Sequence, residues 1–186
     1  MSGRTALIAV DVQAGFEPGG NLAVPDGDAV VSPLLRAIAS ADEVVLSRDW
    51  HPPDHVSFIS NGGTWPEHCV QDTPDAAIDP RLLAAAPAAT IVSKGTDPAV
   101  EAYSAFDGAD AGGAPLVRVL RDAGVTRVLV GGLATDYCVR ATVLDALREG
   151  FEVEVLTDAV RAVDVHPGDG AAALAEMQAA GARLRT

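Results

Sequence analysis

The sequence holds a single lysine, Lys94, beside twelve arginines, and it stands where the run TIVS breaks into glycine. A lysine ammonium is a compact cation whose pKa moves with its surroundings, whereas arginine is a wide planar fork that stays charged, so the two are not interchangeable in a tight pocket. Two other residues offer chemistry to such a cation. Asp11 ends the apolar run ALIAV. Burial would raise its pKa and a nearby ammonium would lower it, which suits proton transfer, while the simpler role is a loop-capping aspartate. Cys138 lies in GGLATDYCVRA, where a strand gives way through glycines to a helix that Thr135 or Asp136 would cap. A thiol in the first turn of a helix is drawn toward thiolate by the dipole and the free N–H groups. The alternative for Cys138 is a small buried hydrophobe, which is how Cys69 reads in its loop.

A second set of reactive residues sits in DWHPPDHVSF and TWPEHCV, which hold Asp49, His51, His55 and His68. Three of the four histidines in the chain fall in this stretch, too many for unrelated solvated loop residues. Asp49 and His51 are two apart, so on extended backbone they share a face. With His68 returned by the loop they form a carboxylate and two imidazoles, a ligand set for one divalent metal ion, zinc ahead of iron or manganese. His166, in DVHPGDG, reads as a turn residue without a role.

These groups must be positioned by elements, and the apolar runs supply them. Residues 6–10, 43–46, 90–92, 127–130 and 151–156 are short, β-branched and mostly without polar alternation, the pattern of buried parallel strands. Residues 182–185 predict a last strand. Helical patterns fall at 28–40, 115–123, 135–148 and 169–180. In the third, Val139, Val143, Ala146 and Leu147 make an apolar stripe while Arg140, Asp145 and Arg148 point elsewhere. Alternation of strand and helix predicts an α/β fold: one domain over residues 1–186, three-layered αβα, with a mostly parallel six-stranded sheet and helices on both faces. In such a fold ligands gather at the carboxyl ends of strands, where Asp11, Asp49, Lys94 and Cys138 all fall. The Pro/Gly-rich stretches 17–28 and 60–80 are long enough to be functional loops, and the alanines at 84–89 read as a surface helix end.

Composition narrows the partners. Thirteen basic against 26 acidic residues give a net charge of −13, which repels phosphate backbones and anionic lipid, so neither nucleic acid nor membrane is an expected partner. A neutral or cationic small molecule suits that field. No apolar run approaches the roughly 20 residues of a bilayer span, and MSGRTALIAV lacks a signal-peptide layout, so the expectation is a cytoplasmic protein, monomer or homo-oligomer. Two cysteines so far apart predict free thiols.

DWHPPDHVSF, HCV, SKG and GLATDYCV, in this order and spacing, resemble the nicotinamidase/pyrazinamidase branch of the isochorismatase-like cysteine hydrolases, from AVDVQ to VLTDAV. The resemblance implies a triad of Asp11, Lys94 and Cys138, with Cys138 as nucleophile and Asp11 as proton carrier. It implies Asp49, His51 and His68 as metal ligands, with His55 beside the metal and in some members bound to it. The Leu133 to Ala134 bond matches a cis peptide that helps aim the Ala134 and Cys138 N–H groups into an oxyanion hole. Phe16, Trp65 and Tyr103, which alone read as loop packing, match positions that enclose a pyridine ring. The implied substrate is a small amide, nicotinamide, and then pyrazinamide. DVQAGF departs from the pattern, because many relatives carry Asn-Asp where this chain has Ala14 and Gly15. Two rivals stand beside this reading. One is a carbamoyl or ureido amidase of the same superfamily, whose members generally lack the histidines. The other is a non-catalytic module with a structural metal, against which the one-carboxylate, two-imidazole set leaves coordination positions open.

Overall fold

The strands follow from the apolar runs; the first five each extend beyond the run that announced them, and the last is one residue shorter than expected. In the computed structural model, which describes residues 3–186, they are β1 (Arg4–Val10), β2 (Glu43–Asp49), β3 (Thr90–Lys94), β4 (Val125–Leu133), β5 (Glu152–Arg161) and β6 (Arg183–Arg185). Hydrogen-bonded pairing carries them past the hydrophobic residues, so that Asp49 and Lys94 become the last residues of β2 and β3. The order is β3-β2-β1-β4-β5-β6 and every pair is parallel.

Five helices cover the sheet: α1 (Val31–Ile38), α2 (Pro80–Ala85), α3 (Leu116–Asp122), α4 (Arg140–Arg148) and α5 (Asp169–Ala179). Side chains alternate across β1, and the two faces feed two cores. Ala6, Ile8 and Val10 pack with Leu116 and Leu120 of α3, Val143 and Ala146 of α4, and Met177 of α5. Leu7 and Ala9 pack with Val31 and Leu34 of α1, Leu82 of α2, and Leu129. Each fully buried Leu, Ile or Val contributes about 1.5–3 kcal/mol, so a sheet buried on both faces is the dominant stabilising unit.

Three differences from the sequence reading have local causes. Helix α2 begins at Pro80, upstream of the alanines at 84–89 that read as a helix end, because its start is signalled by a cap and not a stripe: Pro80 opens it and the Asp79 carboxylate accepts from Arg81 N–H at 2.7 Å. The 28–40 pattern is split, with a 3-10 turn over Gly27–Val30 leading into α1. The 135–148 pattern is also split: Thr135–Val139 form a π turn and the α-helix begins at Arg140. Neither Thr135 nor Asp136 caps it. The Asp136 carboxylate accepts instead from Val163 and Asp164 N–H, at 3.0 and 2.8 Å.

The topology positions the site. The chain builds outward from β1 through β2 to β3, then returns to add β4 on the other side of β1. Strand order reverses between β1 and β4, which is where open parallel sheets form a ligand crevice at their carboxyl ends. In register, Val10 lies opposite Gly132 and Asp49 opposite Lys94, so the ends of β1 to β4 meet at one edge.

Candidate active site

Asp11 is the first residue after β1, fully buried, with φ at +49°. That left-handed conformation is uncommon for a residue with a Cβ and turns the chain out of the sheet. Its Oδ1 accepts from Ser47 Oγ at 2.6 Å, and its Oδ2 lies 2.9 Å from Lys94 Nζ. Lys94 Nζ also contacts Asp49 Oδ1, donates to Ala102 O at 3.2 Å and stands 3.5 Å from Cys138 Sγ. A carboxylate oxygen of Asp11, one of Asp49 and the thiol sulfur lie within 4.8 Å of one another. One buried ammonium therefore serves two carboxylates and a thiol.

Burial is the largest influence on each of these groups, and the balance of charges decides the outcome. It raises Asp11; Lys94 opposes it, and the neighbouring Asp49 charge adds to the rise, so the Asp11 carboxyl holds a proton above the ordinary carboxylate range. Burial also works to raise Asp49, but the Lys94 ammonium and His51 outweigh it, and Asp49 stays ionised well below that range. Lys94 is pushed down by burial and lifted further by the Asp11 and Asp49 carboxylates, ending well above its ordinary value. Burial drives the Cys138 thiol well above its ordinary value, with Lys94 offsetting only part. Enclosure therefore works against the pull toward thiolate expected at the start of a helix, and the cation beside the sulfur is shared with two carboxylates.

The second set converges on the far side of Asp49. His51 Nε2 lies 3.5 Å and His68 Nε2 3.9 Å from Asp49 Oδ2. His51 Nδ1 donates to Gly95 O at 3.0 Å and His68 Nδ1 to Pro66 O at 2.8 Å. Carbonyl oxygens only accept, so each Nδ1 carries a proton, and in the neutral ring the Nε2 lone pair faces the carboxylate. One carboxylate and two imidazoles, all buried, with a ligand atom of each within 4.8 Å of the others, fit a divalent metal ion. Burial also holds His68 below its ordinary pKa, in the neutral ligating form. Gly95 makes room for this arrangement: its φ is +61°, and a Cβ there would collide with the His51 ring.

His55 is close, its ring centroid 4.1 Å from that of His51, but it does not join the converging trio. Its Nε2 donates to Val100 O at 3.1 Å and its Nδ1 pairs with Ser57 Oγ at 2.7 Å, so both nitrogens are occupied.

A pocket of about 520 Å³, its open mouth included, joins the two sets. Cys138, Ala134, Asp49, His51 and His68 stand in its wall, as do Phe16, Trp65 and Tyr103 from three separate loops. The Leu133–Ala134 peptide is cis. Sequence reasoning overlooked several residues in and behind this pocket. Tyr137 packs edge-on against Trp65 at 5.0 Å, and its place next to Cys138 was a usable signal. Gln13 is wholly buried and clamps Asp49, accepting from its N–H at 2.7 Å and donating to its carbonyl at 2.9 Å. Ser47 and Glu101 carried no pattern.

Residues 5–186 match the family described as isochorismatase domain. The chain is 43% identical to the nicotinamidase of Escherichia coli (strain K12), over 97% of this chain and 94% of that one. It is 42% identical to the nicotinamidase/pyrazinamidase of Mycobacterium tuberculosis, over 96% and 97% of the two chains. Among solved structures, the pyrazinamidase of Pyrococcus horikoshii in complex with zinc aligns with a TM-score of 0.85 at 44% identity, covering 98% of this chain and 99% of that one.

Proposed function

This chain belongs to the isochorismatase domain family, and we propose that it is a metal-dependent cysteine amidohydrolase converting nicotinamide to nicotinate and ammonia, with pyrazinamide as a second substrate. The observation that carries this reading is the meeting of Asp11 and Lys94 behind Cys138, which stands in the wall of a pocket also lined by the metal-type donors Asp49, His51 and His68. We propose the same setting for the whole chain: one catalytic domain, working in the cytoplasm.

In this mechanism the Cys138 thiol gives its proton to Asp11 as its sulfur attacks the amide carbon. Lys94 keeps its charge throughout, holding Asp11 in place and balancing the negative charge that moves between carboxylate and sulfur. The carbonyl oxygen becomes an oxyanion, for which the Ala134 and Cys138 N–H groups are the proposed donors. As the tetrahedral centre collapses, the C–N bond breaks, ammonia leaves with the proton from Asp11, and a thioester remains on Cys138. Water then adds to that carbonyl and yields a proton to Asp11. The C–S bond breaks, nicotinate leaves, and Cys138 is restored as a thiol. Phe16, Trp65 and Tyr103 enclose the ring and fix the carbonyl against the sulfur. Asp49, His51 and His68 would hold the metal, for which zinc is the proposed ion, and His55 supports their packing; the ion would supply a Lewis acid that anchors the ring nitrogen.

A panel of small amides tests the reading. Ammonia release should be fast from nicotinamide, measurable from pyrazinamide, near background from ureido and carbamoyl compounds, and lost after chelation. Preference for a ureido substrate would overturn it.

A further inference from the structure

The wall of the pocket contains one carboxylate that the reaction does not use. Asp11 and Asp49 share the Lys94 ammonium, but Glu101 forms no ion pair among the described residues. Glu101 is exposed, and its one side-chain partner among the described residues is neutral: Glu101 Oε1 accepts from Tyr103 Oη at 3.0 Å, and Tyr103 Oη in turn accepts from Trp65 Nε1 at 3.1 Å. Its neighbours on the same segment reach inward, with Val100 O accepting from His55 and Ala102 O from Lys94. The backbone of residues 100–102 is thus tied to both halves of the site, and the Glu101 charge is held at the pocket's edge by an aromatic pair.

An uncompensated anion is a poor device for binding a neutral amide, which offers it only a dipole. It distinguishes strongly, however, between that amide and a ring carrying a full negative charge. We propose that Glu101 is a specificity-determining residue that selects against anionic rings, the carboxylate product among them, and thereby favours product release. This rests on the reaction proposed above, since that reaction turns a neutral ligand into an anion. A unit charge at a partly solvated edge shifts the affinity of another by roughly two- to fivefold, and the effect fades as salt shortens the Debye length below about 8 Å.

The test uses the metal-loaded protein and reads the ratio of the inhibition constant for nicotinate to the KM for nicotinamide, across ionic strengths from about 0.02 to about 0.5 M, a span in which the Debye length shrinks severalfold. Glu101→Gln keeps an oxygen for Tyr103 but removes the charge, whereas Glu101→Asp keeps the charge. The ratio should fall about two- to fivefold in Glu101→Gln and lose its salt dependence. In Glu101→Asp it should stay near that of the unmodified protein. If both constants move by one common factor in Glu101→Gln, the residue serves only to hold Tyr103, and the proposal is overturned. An unchanged ratio with unchanged salt dependence overturns it as well. Failure of the unmodified protein to release ammonia from nicotinamide would instead strike at the reaction itself, and this inference would go with it.

Discussion

Asp49 spends its two oxygens in opposite directions, Oδ1 on Lys94 and Oδ2 toward the His51 and His68 nitrogens. The sequence reading gave it to the metal alone. Nothing in DWHPPDH announces the second contact, because it depends on β2 and β3 ending side by side. Cys138 shows the opposite case, for its sequence context pointed to chemistry but its protonation state could not be read from it. The thiol's proton affinity is raised by enclosure, a property of everything packed around it. At this scale one substitution separates the two halves of the pocket. Cys138→Ala should lower ammonia release from nicotinamide by about a thousandfold or more, while metal content, measured by elemental analysis, stays at the unmodified level. Activity within tenfold of the unmodified protein would remove Cys138 as nucleophile.

Among the elements, the ends matter more than the middles. The β3–Gly95 junction delivers Lys94 to one side and opens space for His51 on the other. Gly95→Ala adds a Cβ in left-handed backbone and against the His51 ring, so it should cost about 1–3 kcal/mol of stability and weaken metal affinity by about 10–100-fold. Chemical denaturation and competition with a chromogenic chelator would measure the two effects, and unchanged metal affinity would show that the ring has room to move. The loop after β1 carries a different control. Glu17 lies against Asp79, with Arg81 and Asp28 also near, and burial first, then the Asp79 hydrogen bond and charge, push its carboxyl up to about 7 from an ordinary 4.5. Since the folded chain holds this proton more tightly than the unfolded one, the resulting stability is complete below about pH 4.5 and lost as pH rises through about 7. The thermal midpoint should therefore fall between pH 5 and pH 8, and the fall should shrink in Glu17→Gln. Equal falls in both proteins would exclude Glu17 as their source.

Taken as a whole molecule, a sheet buried on both faces brings residues up to 127 positions apart, Asp11 and Cys138, to one edge. A metal held by Asp49, His51 and His68 would tie the end of β2 to the loop bearing Trp65, and binding to the native state alone must raise stability by mass action. Removing it with a chelator should lower the thermal midpoint, and restoring excess zinc, about a thousand times its Kd, should return about 4 kcal/mol. A midpoint indifferent to chelation would mean that the three donors hold no ion. Much of the architecture was legible beforehand, because an all-parallel sheet leaves its record in strands without polar alternation, and ALIAV and RVLV carry that record without reference to any partner. The residue types for chemistry were legible for the same reason: a lone lysine, a thiol after glycines and a cluster of histidines are local facts. What only the tertiary structure decided were the relations between distant atoms. It set the shared ammonium, the two occupied nitrogens of His55, the clamp of Gln13 on Asp49 and the place of the exposed Glu101 at the pocket's edge, since distance, enclosure and the balance of charge arise only when separate strand ends meet.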